Sequence, residues 1–435
     1  MTDLNEELRR LADEAGREAW PLAVAEVIRQ GDRRQRRAIT RWSLRRTRGP
    51  GPATGAGPGR RWPGWVAPLA AAGAVVAVVA GTAAVSGAIR GSRGTARTGL
   101  AHGTTAYVVN GAKDTVIPIR TATSTPGKPI KVGIEPTAIA ITPDGRTAYV
   151  VNEVHGSVTP IRTATNRALR PIRTGGTPLA IAITPDGKTA YVAGGGNSGT
   201  VTPIRIATNT PLAPIKVGRL PVAIAITPDG KTAYVVNLNS TMVTPIRIAT
   251  NTALRPIRTG HGPAAIAITP DGRTAYVANG ASGTVTPIRT ATNTPLAPIR
   301  TGGDPLAIAI TPDGKTAYVV NQDSNTVTPI RTATNTPLPP IKVGRLPQAI
   351  AITPDGKTAY VGNNTAGTVT PILIATNKAL APIRTGGNPF EIAITPDGKT
   401  AYVSLVSAGV AAIRTATNTA RGLKIGYSGS IAITP

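Results

Sequence analysis

The chain has 435 residues, 48 Lys and Arg against 21 Asp and Glu, a formal net charge of +27, and no cysteine. That composition excludes a disulfide framework and thiolate chemistry, leaves zinc only three histidines, and favours anionic partners without bearing on fold. It also disfavours nucleic acid, because the four Trp (20, 42, 62, 65) stand far upstream of the repeats described below and Phe390 is the only Phe, so bases would find few stacking platforms.

Residues 1–46 read as a basic, partly helical tail: Leu4, Leu8, Leu11 and Ala15 recur at helical spacing behind Asp3, Pro21 interrupts, and a second helical stretch ends in the Arg33 to Arg37 cluster. Such a tail either docks a cytoplasmic partner or fixes membrane topology. Residues 47–62 are a Gly/Pro-rich linker. Within residues 63–89, positions 66–89 carry no charge, long enough as a helix to span roughly 30 Å of hydrocarbon, so a single transmembrane anchor is expected. A cleaved signal peptide competes, but its charged leader would run to some sixty residues, far too long. The 14 Arg among residues 1–62 favour retention of the amino terminus in the cytoplasm, with residues 104–435 extracytoplasmic beyond a stalk at residues 90–103.

From residue 104 to 435 one pattern dominates. Thr-Ala-Tyr-Val occurs eight times, with tyrosines at 107, 149, 191, 234, 276, 318, 360 and 402, a spacing of 42 or 43. A unit of that length, rich in short Ile/Val/Thr/Tyr runs, is one four-stranded propeller blade. In one copy the strands are expected at 137–142, 147–151, 157–162 and 171–174, the first two joined by the turn Pro143-Asp144-Gly145. In the first strand Ile139 and Ile141 alternate with Ala138 and Ala140, which suits burial on both faces between neighbouring sheets. Proline recurs in the third strand (118, 160, 203, 245, 287, 329, 371) and predicts a repeated bulge there, since it cannot donate a ladder bond. The array begins with a second strand and ends with a first one, Ser430 to Thr434. The expected fold is therefore all-β: a closed propeller, eight-bladed by repeat count with seven as the alternative, whose carboxyl-terminal strand completes the first blade.

The line Thr311-Pro-Asp-Gly-Lys-Thr-Ala-Tyr-Val-Val-Asn321, followed by Asn325-Thr-Val-Thr-Pro-Ile-Arg-Thr-Ala-Thr-Asn335, closely resembles the YVTN-type β-propeller repeat of bacterial and archaeal surface proteins. The resemblance covers residues 103–435. It implies a secreted or surface-attached propeller, most often seven-bladed, acting in binding or as a scaffold, and it carries no catalytic motif. Here Pro and Arg of Thr-Pro-Ile-Arg replace the family's usual Val and Asp. Related-looking propellers include lactonases and electron-carrying dehydrogenase subunits, which supply the alternative of a hydrolase or redox-associated enzyme.

Between copies the Pro-Asp-Gly and Thr-Ala-Thr-Asn turns scarcely vary, whereas the loops between second and third strands and those between blades differ in every copy. Loops free of scaffold constraint can be specialised for contact, so their shared face is the expected binding site: Asp114, Glu135, Glu153, His155, Arg219, His261, Asp304, Asp323, Arg345, Asn388, Phe390 and Glu391. No cofactor or metal is expected, because few carboxylates and imidazoles come from neighbouring units. The seven turn aspartates read as turn chemistry rather than a calcium ring, and the tyrosines as packing residues. A basic rim (Arg162, Arg173, Arg205, Lys216, Arg247, Arg258, Arg289, Arg300 and equivalents) would meet anionic envelope polymers or headgroups, or act only as a solubilising perimeter; a protein partner is the other expectation.

Overall fold

A computed structural model describes residues 103–195, 199–406, 408–426 and 428–435. The expected tail, linker and transmembrane anchor, and the expected stalk up to residue 102, lie outside the described residues. Among those described, no helix is long and apolar enough to cross a membrane.

Eight antiparallel sheets follow one another around a ring. Blade 1 pairs the closing strand Ile431–Ile433 with Thr105–Asn110, which pairs with Thr115–Arg120. Blades 2 to 8 open with the first strands Pro136–Ile141, Thr177–Ile183, Pro221–Ile226, Pro263–Ile268, Pro305–Ile310, Pro347–Ile352 and Pro389–Ile394. First strands of neighbouring blades pack on one another all the way around, including across the junction of blades 8 and 1. Closure has the form expected. Ala106, Tyr107 and Val108 stand opposite Ile433, Ala432 and Ile431, and the Val109 and Thr434 amides donate to the Ser430 and Thr105 carbonyls at 2.9 Å.

The alternation of large and small apolar groups accounts for the core: Ile139, Ala138 and Ala140 are all buried, as are their counterparts, because each sheet has a neighbour on both faces. The repeated Tyr and the repeated Asn prove to be two halves of one clasp. Each Tyr hydroxyl reaches from its second strand into the Thr-Ala-Thr-Asn turn of the next blade: Tyr107 donates to Asn166 Oδ1 (2.7 Å), Tyr149 to Asn209 (2.7 Å), Tyr234 to Asn293 (2.6 Å). Tyr402 completes the ring across the seam by bonding Ser124 Oγ (2.9 Å). The acceptor asparagines hold left-handed backbone (Asn166 φ 51°), which Asn tolerates better than most residues. Packing alone therefore understated these tyrosines.

The third-strand prolines put their bulge elsewhere than expected. Second and third strands pair without a shift, Tyr191 opposite Pro203. The Pro203 carbonyl accepts from the Leu212 amide (2.8 Å), so the side of Pro203 that lacks an N–H faces the fourth strand. There the fourth strand breaks into Thr210–Pro211 and Ile215–Lys216, with three residues facing Thr202 and Pro203. Blade 8 supplies the control. Ala412 replaces the proline, and the fourth strand Thr419–Leu423 is unbroken and pairs in simple register. A different, unexpected bulge recurs between first and second strands, at Thr137, Leu179, Val222, Ala264, Leu306, Gln348 and Phe390.

Candidate functional site

The two ends of the ring are built differently. At one end, which we call the scaffold face, every Pro-Asp-Gly turn is the same device: Thr142 Oγ1 (2.6 Å) and the Arg146 amide (3.0 Å) both donate to Asp144 Oδ1, while Gly145 takes φ 70°. Burial pulls the Asp144 carboxyl up, but those hydrogen bonds and the Arg146 charge outweigh it and leave it below the usual range. The turn aspartates are thus committed to the turns, as expected.

At the other end the loops between second and third strands are stitched to the loops between blades. The Glu153 amide donates to the Glu135 carbonyl (3.0 Å), Leu238 to Leu220 (2.9 Å), Gln322 to Asp304 (3.0 Å), Asn364 to Leu346 (2.9 Å) and Val406 to Asn388 (3.0 Å). Both variable loop sets therefore share one face.

That face brings some of the expected residues together. Glu135 and Glu153 meet at the open end of blade 2; burial first, then the Glu135 charge, pushes Glu153 up to about 7. Asp304 and Asp323 repeat the arrangement in blade 6, where burial and then Asp323 push Asp304 up to about 6. Gly280 lies so close to Asp304 that an added Cβ would meet Oδ1 at 2.5 Å. His155, Arg219, His261, Arg345 and Asn388 are exposed on the same face.

Other expected residues are placed differently. The Asp114 side chain is occupied in binding the Glu135 amide (2.9 Å) and reads as a loop staple. Phe390 and Glu391 belong to a first strand, buried at 9% and 2% exposure, not to a surface loop. Glu391 stands at a level where blades 2 to 7 carry Ala138, Ala180, Ala223, Ala265, Ala307 and Ala349. Its carboxyl takes hydrogen bonds from Ser430 and the Ile431 amide of the closing strand, and burial pushes it up to about 8. Its Oε2 has no partner.

The single basic belt divides in two. Third-strand residues such as Arg162 and Arg205 pair with Thr147 and Thr189, next to the scaffold turns; Arg247 and Arg289 do likewise. Fourth-strand residues such as Arg173, Lys216, Arg258 and Arg300 pair with Ser157, Thr200, Met242 and Thr284, beside the variable loops.

Two buried amides escaped notice in the sequence. Gln322 (1% exposed) has neither amide atom paired, and Gln348 (6%) has an unpaired Oε1. A signal existed: Gln348 occupies the residue after the strand-opening proline, which varies among copies inside an otherwise repeated strand. Among the described residues no three His, Asp or Glu side chains are placed to hold a metal. Clefts of about 450 and 330 Å³ open between outer strands, one lined by Leu296, Ile299 and Asn335, the other by Lys216, Met242 and Pro256.

Residues 223–341, from blade 4 to blade 6, match the family model described as Lactonase, 7-bladed beta-propeller. No curated protein matches the chain. Among solved structures, Kuenenia stuttgartiensis hydrazine synthase is similar at 26% identity and a TM-score of 0.55, covering 66% of this chain and 97% of that one. Dihydro-heme d1 dehydrogenase NirN in complex with DHE aligns at 15% identity and a TM-score of 0.66, with 75% and 74% covered. A functionally unknown protein from Desulfotomaculum acetoxidans DSM 771 aligns at 20% identity and 0.54, with 64% and 94% covered. The chain is a β-propeller protein.

Proposed function

We propose that this chain is a membrane-anchored, extracytoplasmic propeller of the YVTN type that binds through its variable-loop face without catalysis, presenting it to an anionic envelope polymer. The observation that carries this reading is the segregation of variation. Seven copies keep the same Pro-Asp-Gly turn at one end, while the loops at the other end differ from copy to copy, and there Arg219, Arg345 and the fourth-strand cations lie exposed. The carboxylates on that face support contact more readily than chemistry, because the pairs of blade 2 and blade 6 stand on opposite sides of an eight-bladed ring.

The test is binding of the full-length protein to a glycerol-phosphate polymer. Affinity is expected to fall about tenfold or more between about 50 and 300 mM salt and to weaken in Arg219→Ala and Arg345→Ala, with no turnover of lactones. Salt-insensitive binding or none overturns it. The second reading, a lactonase-like hydrolase, is favoured by the match over residues 223–341 and by Glu153, whose raised carboxyl is matched to general-base work near neutrality. Lactone hydrolysis lost in Glu153→Gln supports that reading instead.

A further inference from the structure

The propeller meets its tether on the scaffold face. The Thr104 carbonyl accepts from the Thr121 amide (3.1 Å) and Thr121 Oγ1 (2.7 Å), beside the turn that follows Arg120, and the final residue Pro435 lies against Gly145 of a Pro-Asp-Gly turn. Fourteen residues at most, 90–103, separate that point from the uncharged run 66–89, and they include Arg90, Arg93 and Arg97. Fully extended, such a stretch reaches roughly 50 Å, so whatever holds the apolar run also lies within reach of the ring's scaffold face.

Charge distinguishes the two faces. On the scaffold face each turn aspartate of blades 2 to 8 is in an ion pair with the Lys or Arg two residues on, as in Lys231–Asp229 at 3.6 Å. These are the ion pairs found among the described residues, so the third-strand arginines beside them, Arg162, Arg205, Arg247 and Arg289 among them, stand exposed with none. The surplus on this face is therefore wholly positive. The variable face also carries a ring of cations, but mixes it with the carboxylates of Asp114, Glu135, Glu153, Asp304 and Asp323.

We infer that the third-strand arginine ring is a docking surface for anionic phospholipid headgroups, seating the propeller on its own membrane with the variable-loop mouth turned away. The inference rests on the anchored reading above. Seven arginines at one level can each contribute a weak headgroup attraction, and the short tether supplies the high local concentration that makes weak contacts count.

Because the chain has no cysteine, single-cysteine probes report each face cleanly. Ala207→Cys lies exposed in a scaffold turn and Ala366→Cys exposed in a variable loop. In the full chain reconstituted into nanodiscs, labelling of Ala207→Cys by an impermeant maleimide is expected to be about tenfold slower with phosphatidylglycerol than with phosphatidylcholine alone, and to recover in high salt. Ala366→Cys should label equally in both, and Arg162→Glu, Arg205→Glu and Arg247→Glu together should abolish the lipid effect. Equal labelling of Ala207→Cys in the two lipids, or protection at Ala366→Cys, overturns the docking. A chain that fails to enter nanodiscs refutes the anchor; the same probes with added phosphatidylglycerol vesicles then still decide which face, if either, meets headgroups.

Discussion

Seven of the eight blades are near copies, and blade 8 with its junction to blade 1 is not; their difference shows what the repeat is for. Where blades 1 to 7 place proline in the third strand, blade 8 has Ala412, and its fourth strand is one residue shorter between the turn asparagine and the buried apolar residue (Asn418 to Leu423 against Asn209 to Ile215). The proline and the extra outer-strand residue leave together, as they must if one bulge accommodates the other. The Tyr–Asn clasp survives at the junction only by substitution, Tyr402 bonding Ser124. The alanine level is broken there by Glu391 and Ser430, which tie blade 8 to a closing strand of just three paired residues. Ser428 adds to the seam: its hydroxyl accepts from the Leu405 amide (3.0 Å) and bonds the Leu405 and Gly409 carbonyls. Hydrogen bonding thus replaces some of the strand length missing at the seam.

Four perturbations sharpen or break this contrast. Removing residues 428–435 should have the largest effect, destabilising the ring by more than about 4 kcal/mol and losing two-state urea unfolding, because it opens the inner edges of blade 1 and uncovers Glu391. Next is pH. The Glu391 carboxyl is raised from an ordinary 4.5 to about 8 by burial, so between those values the folded state holds a proton the unfolded chain has released. Stability should be full below about 4.5 and fall by up to about 1.4 kcal/mol per pH unit towards 8, the limit for one proton. Urea midpoints across that range should decline in the native chain and be flatter in Glu391→Gln, while an unchanged slope in the variant would assign the effect elsewhere.

Third, Ala412→Pro should cost about 3 kcal/mol, because the unbroken fourth strand of blade 8 has no bulge to take it. Adding one residue to that strand, between Arg421 and Gly422, should recover most of the loss; equal thermal stability of the single variant and the parent would contradict the proline–bulge coupling. Smallest is the clasp: Tyr234→Phe should cost about 1 kcal/mol in urea unfolding, the value of one hydrogen bond, here to the half-buried Asn293.

Much of this architecture was legible because the repeat removes ambiguity. Strand order, the paired termini and the shared face of the variable loops follow from period and turn chemistry, and the third strand was expected at the residues where it occurs, Ser157–Arg162. What escaped depends on direction across a sheet. Proline at 203 signals a missing donor, but which neighbour loses the bond is fixed by the pleat, and it is the outer one. The Tyr–Asn bonds join residues about 59 apart in different blades, a separation no local pattern reveals. Of the candidate site, the exposed loop residues were readable from variation among copies; the burial of Glu391 and the unpaired amides of Gln322 and Gln348 were not, since both arise from neighbouring blades meeting.

Everything proposed for the two faces requires the ring to be shut, and amide hydrogen exchange at single-residue resolution tests this most directly. The Val109 amide, bonded to Ser430 across the seam, and its counterpart at Val151 in blade 2, where Ala138 is the residue opposite, form a matched pair. The account predicts protection of Val109 and Thr434 comparable to that of Val151 under native conditions. Exchange of Val109 and Thr434 at free-peptide rates, with Val151 still protected, would show an unclosed array and contradict it.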